Sequence, residues 1–162
     1  MDDGSGGLIP QLILIFILTL INAFFSAAEL AIVSANKTKI ENLAEDGNKR
    51  AKTLLKVTDD QTRFLSTIQV GITLAGFFSS ASAATSVSKM LGHYCVELGI
   101  YYGPTLALII VTFVLSFFTL VFGELVPKRI ALQNAESVAL FSAKPIQLFT
   151  MLTYPFVKLA SF

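Results

Sequence analysis

The residues best suited to chemistry in this sequence stand in Phe122-Gly-Glu-Leu-Val-Pro-Lys128, at the end of an apolar run that begins at Thr105. Proline has no N–H, so inside a helix it leaves the carbonyl four residues back without its usual donor. For Pro127 that carbonyl belongs to Gly123, and the carboxylate of Glu124 follows directly. The sequence thus places two oxygens of different kinds, both short of partners, at the edge of an apolar helix. Hard oxygens of this sort suit Mg²⁺, Ca²⁺ or Na⁺ and not a soft transition metal.

Two further groups of polar residues lie in apolar surroundings. Asn22, Ser26 and Glu29 fall at i, i+4 and i+7, so they share one helical face. Gln69, Thr73, Gly76 and Ser80 share another, which offers a polar lining. Of the eleven acidic residues, nine lie in loops or tails and only Glu29 and Glu124 do not. A carboxylate within a span is costly and is a functional candidate for that reason. Each group also has a plainer explanation. Glu29 and Glu124 can reach head-group water near a membrane surface, with Lys128 four residues from Glu124. Ser26 can bond its own i−4 carbonyl. Gly71, Gly76, Ala81 and Ala84 can serve close helix packing alone. Cys95 and His93 are neighbours, but one thiol and one imidazole do not make a metal site, and a single cysteine excludes an internal disulfide.

The elements that must hold these residues follow from hydropathy. The chain has 162 residues, 54% hydrophobic and 14% charged, with a mean hydropathy of +0.70. That is too apolar for an ordinary soluble domain, which carries about 25% charged residues. The net charge of +1 gives no reason to expect a nucleic-acid partner. Three runs, about 8–35, 64–84 and 105–126, are long enough to cross a bilayer, which takes about 20 apolar residues. Each must be a helix, since the bilayer core offers no water to backbone groups. The fold class is therefore all-α integral membrane.

The segment 36–63 carries seven basic residues, whereas the loop between the second and third runs has only Lys89. The positive-inside rule puts 36–63 and the C-terminus in the cytoplasm and the N-terminus outside, in a multi-pass protein of the plasma membrane. Within 37–58 the apolar positions Ile40 and Leu43, the stop at Gly47, and then Ala51, Leu54 and Leu55 predict two short amphipathic helices at the inner membrane surface. The segment 130–162 reads as a mixed helix to Ala143. From Ile146 it reads as an apolar helix lying in the interface, interrupted by Pro155, with Lys144 and Lys158 snorkelling; the alternative is a short, broken fourth span. Residues 1–7 are read as a tail or an expression remnant, and the apolar end at Phe162 as the point where a cytosolic part has been removed.

Depth brings the polar groups together. The first span runs outside to inside, the second returns and the third runs in again. Ser26, Thr73 and Gly123–Glu124 then fall at similar levels in the inner half. The blocks "NAFFSAAELAIVSANKTKIENLAEDGNKRA", "FLSTIQVGITLAGF" and "FGELVPKRIAL" resemble the transmembrane domain of the CorC/CNNM magnesium transporters over nearly the whole chain. The resemblance implies three transmembrane helices with an amphipathic juxtamembrane belt, working as a homodimer. It implies Mg²⁺ export with Na⁺ as the coupling ion, and a cytosolic CBS-pair domain and a small C-terminal domain that lie outside this chain. By the same resemblance Ser26 falls on the serine of the first-span motif, and Gly123, Glu124 and Pro127 on the third-span motif of the cation site. Animal members have an asparagine where this chain has Gly76, so the second-span ligand passes to Thr73 or Ser80. Asn22, Glu29 and Gln69 complete the candidates.

Two functions from different classes follow. One is a Na⁺-coupled Mg²⁺ exporter. The other is a non-transporting dimeric anchor that senses Mg²⁺ for a cytosolic regulatory domain. Polar residues within the spans favour the first, since an anchor has no need of them. An enzyme is not expected, because the sequence has no nucleophile–base pair or phosphate loop.

Overall fold

The computed structural model describes residues 7–160. Among the described residues every element is helical: α1 (Leu8–Ser34), α2 (Lys37–Glu45), α3 (Lys49–Thr58), α4 (Gln61–Glu97), α5 (Gly103–Leu120), a π turn (Val121–Leu125), α6 (Val126–Gln133) and α7 (Ala135–Ala160). Three helical stretches among the described residues are long and apolar enough to cross a membrane, namely Leu8–Ser34, Gln61–Glu97 and Gly103–Gln133. The tail before Gly7 and the last two residues lie outside the described residues.

Local chemistry explains the boundaries between α1 and α4. The Asn36 side chain accepts from the Lys39 N–H at 3.2 Å and starts α2. Asn48 accepts from Arg50 and Ala51 at 3.0 and 3.2 Å and starts α3. Asp60 accepts from Arg63 at 3.0 Å and starts α4. Each satisfies an N–H that the first helical turn leaves without a partner. Gly47, at φ 91°, makes the turn between α2 and α3, as the sequence requires.

Two boundaries differ from the sequence reading. Hydropathy ends the second span near Ala84, but α4 continues to Glu97, a total of 37 residues. At 1.5 Å per residue it is about 55 Å long, far beyond the roughly 30 Å of hydrocarbon. Its polar extension pairs with the start of α5, where a side chain on Gly92 would meet the Pro104 backbone at 3.1 Å. The second difference lies after the third span. That span does not stop at Val126; it runs on to Gln133 and breaks at Asn134. From there α7 is one helix through both Pro145 and Pro155. It packs on α1, α3 and α4. The Arg63 guanidinium of α4 lies 4.4 Å from the centre of the Tyr154 ring of α7, a cation–π contact between them.

The core is built from small residues. Ala31, Ile40, Ala44, Ala51, Leu54, Ala131, Ala139 and Ala143 form one buried cluster joining α1, α2, α3, α6 and α7. Phe25, Ala28, Phe64, Ile68 and Ile146 form the next, joining α1, α4 and α7. A side chain added at Gly71 would meet the Phe25 ring at 2.9 Å, so α1 and α4 approach closely there. Beyond these clusters the spans present large apolar side chains outward, among them Ile9, Phe16, Phe113 and Phe117. That is the surface a bilayer solvates.

Candidate cation site between the spans

Helix α1 places Asn22 and Ser26 one turn apart on one face, and both are buried, at 5% and 0% exposure. The Asn22 amide nitrogen donates to the Gly123 carbonyl at 3.2 Å, across 101 residues of sequence. The carbonyl that Pro127 cannot serve therefore has a donor after all, from a different span. The sequence reading of an unpartnered carbonyl is corrected to this extent. A carbonyl has two lone pairs, so one stays available. Asn22 must turn its nitrogen to Gly123, and this leaves Oδ1 on the other side. That oxygen and the Ser26 hydroxyl are both buried without a hydrogen-bond partner. Burying such a group unpaired costs about 1–3 kcal/mol, and it is the arrangement expected of oxygens held for a ligand. Ser26 does not bond its own helix, so the plainer explanation fails for it.

Around Gly123 the third span is wound as a π turn. The Val126 N–H donates to Val121 O, an i→i+5 bond. One residue is thereby accommodated in excess of α-helical spacing just before Pro127. The wider turn relieves the clash of the proline ring with the i−4 carbonyl. It also decides where Glu124 points. In an α-helix Glu124 would lie about 140° around from Thr119; the wider turn carries it back toward the same side. Glu124 and Thr119 accordingly line one cavity, with Asn22, Gly76, Ser79, Ser80, Thr112 and Ser116. Gly123 itself has no room for a side chain, since a Cβ there would stand 2.8 Å from the Asn22 amide nitrogen.

At the other edge of the site lies a charge cluster. Lys128 Nζ is 2.9 Å from Glu124 and 3.7 Å from Glu29. Gln69 donates to Glu29 at 3.4 Å. One ammonium thus serves two carboxylates, and Glu29 and Gln69 stand beside the site through Lys128.

The structure therefore gathers Asn22, Gly76, Ser80 and Glu124 around one cavity, ties Gly123 to it through Asn22, and buries Ser26 one turn along α1. It does not bring Thr73 in: that side chain is exposed on α4 and does not line the cavity. Gly76 has open space where a side chain would stand, so within the protomer it is not the close-packing position expected; Gly71 is. Ser79, Thr112, Ser116 and Thr119 were missed. Their signal was present, since Thr112, Ser116 and Thr119 follow at i, i+4 and i+7 in an otherwise apolar helix. His93 lies 3.4 Å from Glu97 and not in a metal site. Among the described residues no three His, Cys, Asp or Glu side chains are grouped to hold a metal. A cation here depends on neutral oxygens and one or two carboxylates.

An all-helical, three-span membrane domain with an oxygen-lined cavity is the class that fold and site define. Residues 12–162 match the CNNM family, described as the Cyclin M transmembrane N-terminal domain, and the chain belongs to that family. It is 40% identical over 152 residues to a UPF0053 protein of Synechocystis, covering 92% of this chain and 34% of that protein. It is 39% identical over 156 residues to the UPF0053 protein YugS of Bacillus subtilis, covering 93% and 36%. With YhdT of the same organism the figures are 35% over 159 residues, 97% and 33%. The chain thus spans about a third of the length of these relatives. It is a multi-pass membrane domain of a family related to divalent-cation transport.

Proposed function

We propose that this domain exports Mg²⁺, with Na⁺ as the coupling ion. The supporting observation is two buried, unpartnered oxygens: Asn22 Oδ1, whose amide nitrogen bonds the Gly123 carbonyl and which lines the cavity with Glu124, and Ser26 Oγ one turn along α1. Mg²⁺ takes oxygen ligands in near-octahedral geometry and gives up its waters reluctantly. Asn22, Ser26, Gly123 and Glu124 supply ligands, Ser80 lies at the cavity wall, and retained water completes the shell. Lys128 pairs with Glu124 at 2.9 Å. When Mg²⁺ arrives, the ammonium is displaced and stays with Glu29, which is already within 3.7 Å. The site works within a homodimer, in the plasma membrane, with the basic α2–α3 segment on the cytoplasmic side and a CBS-pair domain following in the full-length protein.

The test is Mg²⁺ flux in proteoliposomes with and without a Na⁺ gradient. Flux by the wild type, lost in Glu124→Gln and driven by Na⁺, is the expected result. Flux indifferent to Na⁺ would remove the coupling and leave the cation site. A thiol placed at Asn48 should resist labelling from outside intact cells, and efficient labelling would reverse the orientation. A monodisperse monomer in lipid nanodiscs would remove the homodimer.

The Glu124–Lys128 pair favours a second reading. A carboxylate neutralised by its own helix at 2.9 Å is compatible with an anchor that moves nothing. Wild-type chain that binds Mg²⁺ yet gives no flux would establish that reading instead.

A further inference from the structure

Beyond the cation site, the cavity continues along α5 away from the basic α2–α3 end. Its volume is ≈ 280 Å³, room for several waters or for a cation with part of its shell. Thr112, Ser116 and Thr119 line one side; Gly76, Ser79 and Ser80 of α4 line the other. From Thr112 to Glu124 the lining extends about 18 Å along the helix.

The hydroxyls on this path are without hydrogen bonds, unlike several others in the apolar helices. A serine or threonine in a membrane helix ordinarily bonds its own i−4 carbonyl. Thr19, Ser142, Thr150 and Thr153 do so at 2.7–2.8 Å. None of Ser79, Ser80, Thr112, Ser116 and Thr119 is hydrogen-bonded among the described residues. On α5 these hydroxyls are confined to one face, where Thr112 and Ser116 are exposed along the open cavity, and Phe113 and Phe117 occupy the adjoining face at 76% and 59% exposure. At the inner end of the cavity stands Asn22, 5% exposed and with its oxygen unpartnered. Helix packing does not require free hydroxyls in a file, and a lipid-facing surface gains nothing from them. Water or a hydrated cation does.

We infer that Thr112, Ser116 and Thr119, facing Ser79 and Ser80, form the water-lined path by which a partly hydrated divalent cation passes between the Glu124 site and the membrane face at the Gly103 end of α5. The hydroxyls replace shell water step by step, as the ion sheds it toward Asn22 and Glu124. The inference extends the cation-site reading and rests on it for the identity of the ion.

Thiol accessibility tests the path without requiring Mg²⁺ to bind. In the full chain, with Cys95→Ser and in lipid nanodiscs, Thr112→Cys, Ser116→Cys and Ser79→Cys should react with a cationic methanethiosulfonate reagent at least tenfold faster than Phe113→Cys and Phe117→Cys. Equal rates overturn the path, whatever Mg²⁺ does at Glu124. Fast rates in a protein whose Mg²⁺ binding ignores Glu124→Gln uphold the path and remove the site reading. Thr112→Val combined with Ser116→Ala adds a measurement that introduces no thiol. It should lower Mg²⁺ flux at least tenfold while affinity changes less than twofold. Undiminished flux overturns the path.

Discussion

The two ends of α1 are packed on opposite principles. Near Ser34 the helix is enclosed by α2, α3, α6 and α7, and Ala28, Ala31, Ala51, Ala131, Ala139 and Ala143 are all fully buried. Alanine lets backbones approach closely, and dispersion across many short contacts holds them. Near Leu8 the same helix is flanked by lipid-facing side chains, and the gap between the spans is left open beside α4 and α5. The site lies where the two regimes meet. A rigid footing fixes Ser26 and Asn22, while the open side leaves room for an ion. Stability is not uniform across a fold, and segments that must admit ligands are drawn from its less packed part.

This contrast can be broken first at its footing. Ala139→Leu forces extra volume into a position with no exposure. It should cost about 3 kcal/mol, at the upper end of overpacking effects, and the protein should lose its sharp thermal transition in detergent. Leu152→Ala, on an outward-facing position of α7, should leave that transition in place. An undisturbed Ala139→Leu would mean that the alanine cluster is loosely packed.

At the site the effects should fall on binding and spare the fold. Glu124→Ala is expected to weaken Mg²⁺ by about 30- to 100-fold, or about 2–3 kcal/mol, as loss of a charged ligand does, with an unchanged melting temperature. Wild-type affinity measured by calorimetry would make Glu124 an interfacial carboxylate only. Gly123→Ala should push the Asn22 amide off its carbonyl, since the added carbon would lie 2.8 Å away. Affinity should fall about tenfold, or about 1.4 kcal/mol, and Ser should be no better tolerated than Ala.

Pro127→Ala sharpens the comparison in the opposite direction. It returns a backbone donor for the lone pair of the Gly123 carbonyl that Asn22 leaves open. Thermal stability should rise and Mg²⁺ affinity should fall several-fold, about 1 kcal/mol. A variant that binds as tightly as wild type would limit the proline to a role in helix winding. The smallest effect is expected on the basic surface. The Lys37–Glu41 pair, 3.9 Å apart and largely exposed, should contribute less than about 0.5 kcal/mol, so Lys37→Ala should leave the melting curve in place.

How much of this was legible depends on the range of the interaction. Apolar runs located the three spans, and the basic segment with Gly47 gave α2 and α3, because those signals are local. The polar extension of α4 was lost, since hydropathy ends where a helix leaves the lipid and not where it ends. Asn22 and Glu124 could be named as candidates, but the bond from Asn22 to Gly123 joins residues 101 apart and no spacing rule reaches it. Thr73 was placed by assuming that a polar face must turn inward; the packing of Gly71 on Phe25 turns it out instead. The hydroxyls of α5 stand one to a turn among apolar residues, so they leave the hydropathy of the third span almost unchanged and drew no notice.

The π turn at Val121–Leu125 has a further consequence, for changes in chain length. It holds one residue beyond the ordinary count, so the helix before it and the helix after it face one another as they would in a regular α-helix one residue shorter. Deleting a single residue within this turn, outside Gly123 and Glu124, would let the helix close with regular winding and leave Thr112, Ser116 and Thr119 on their present side. A deletion within 112–120, where the winding is already regular, would instead turn every residue before it by about 100°, and Thr112 would take the outward place of Phe113. An added residue in the 99–102 connection would rotate nothing. The span should therefore accept a one-residue deletion in the π turn and an insertion at the hairpin with α4, and reject a deletion in the regular stretch between them.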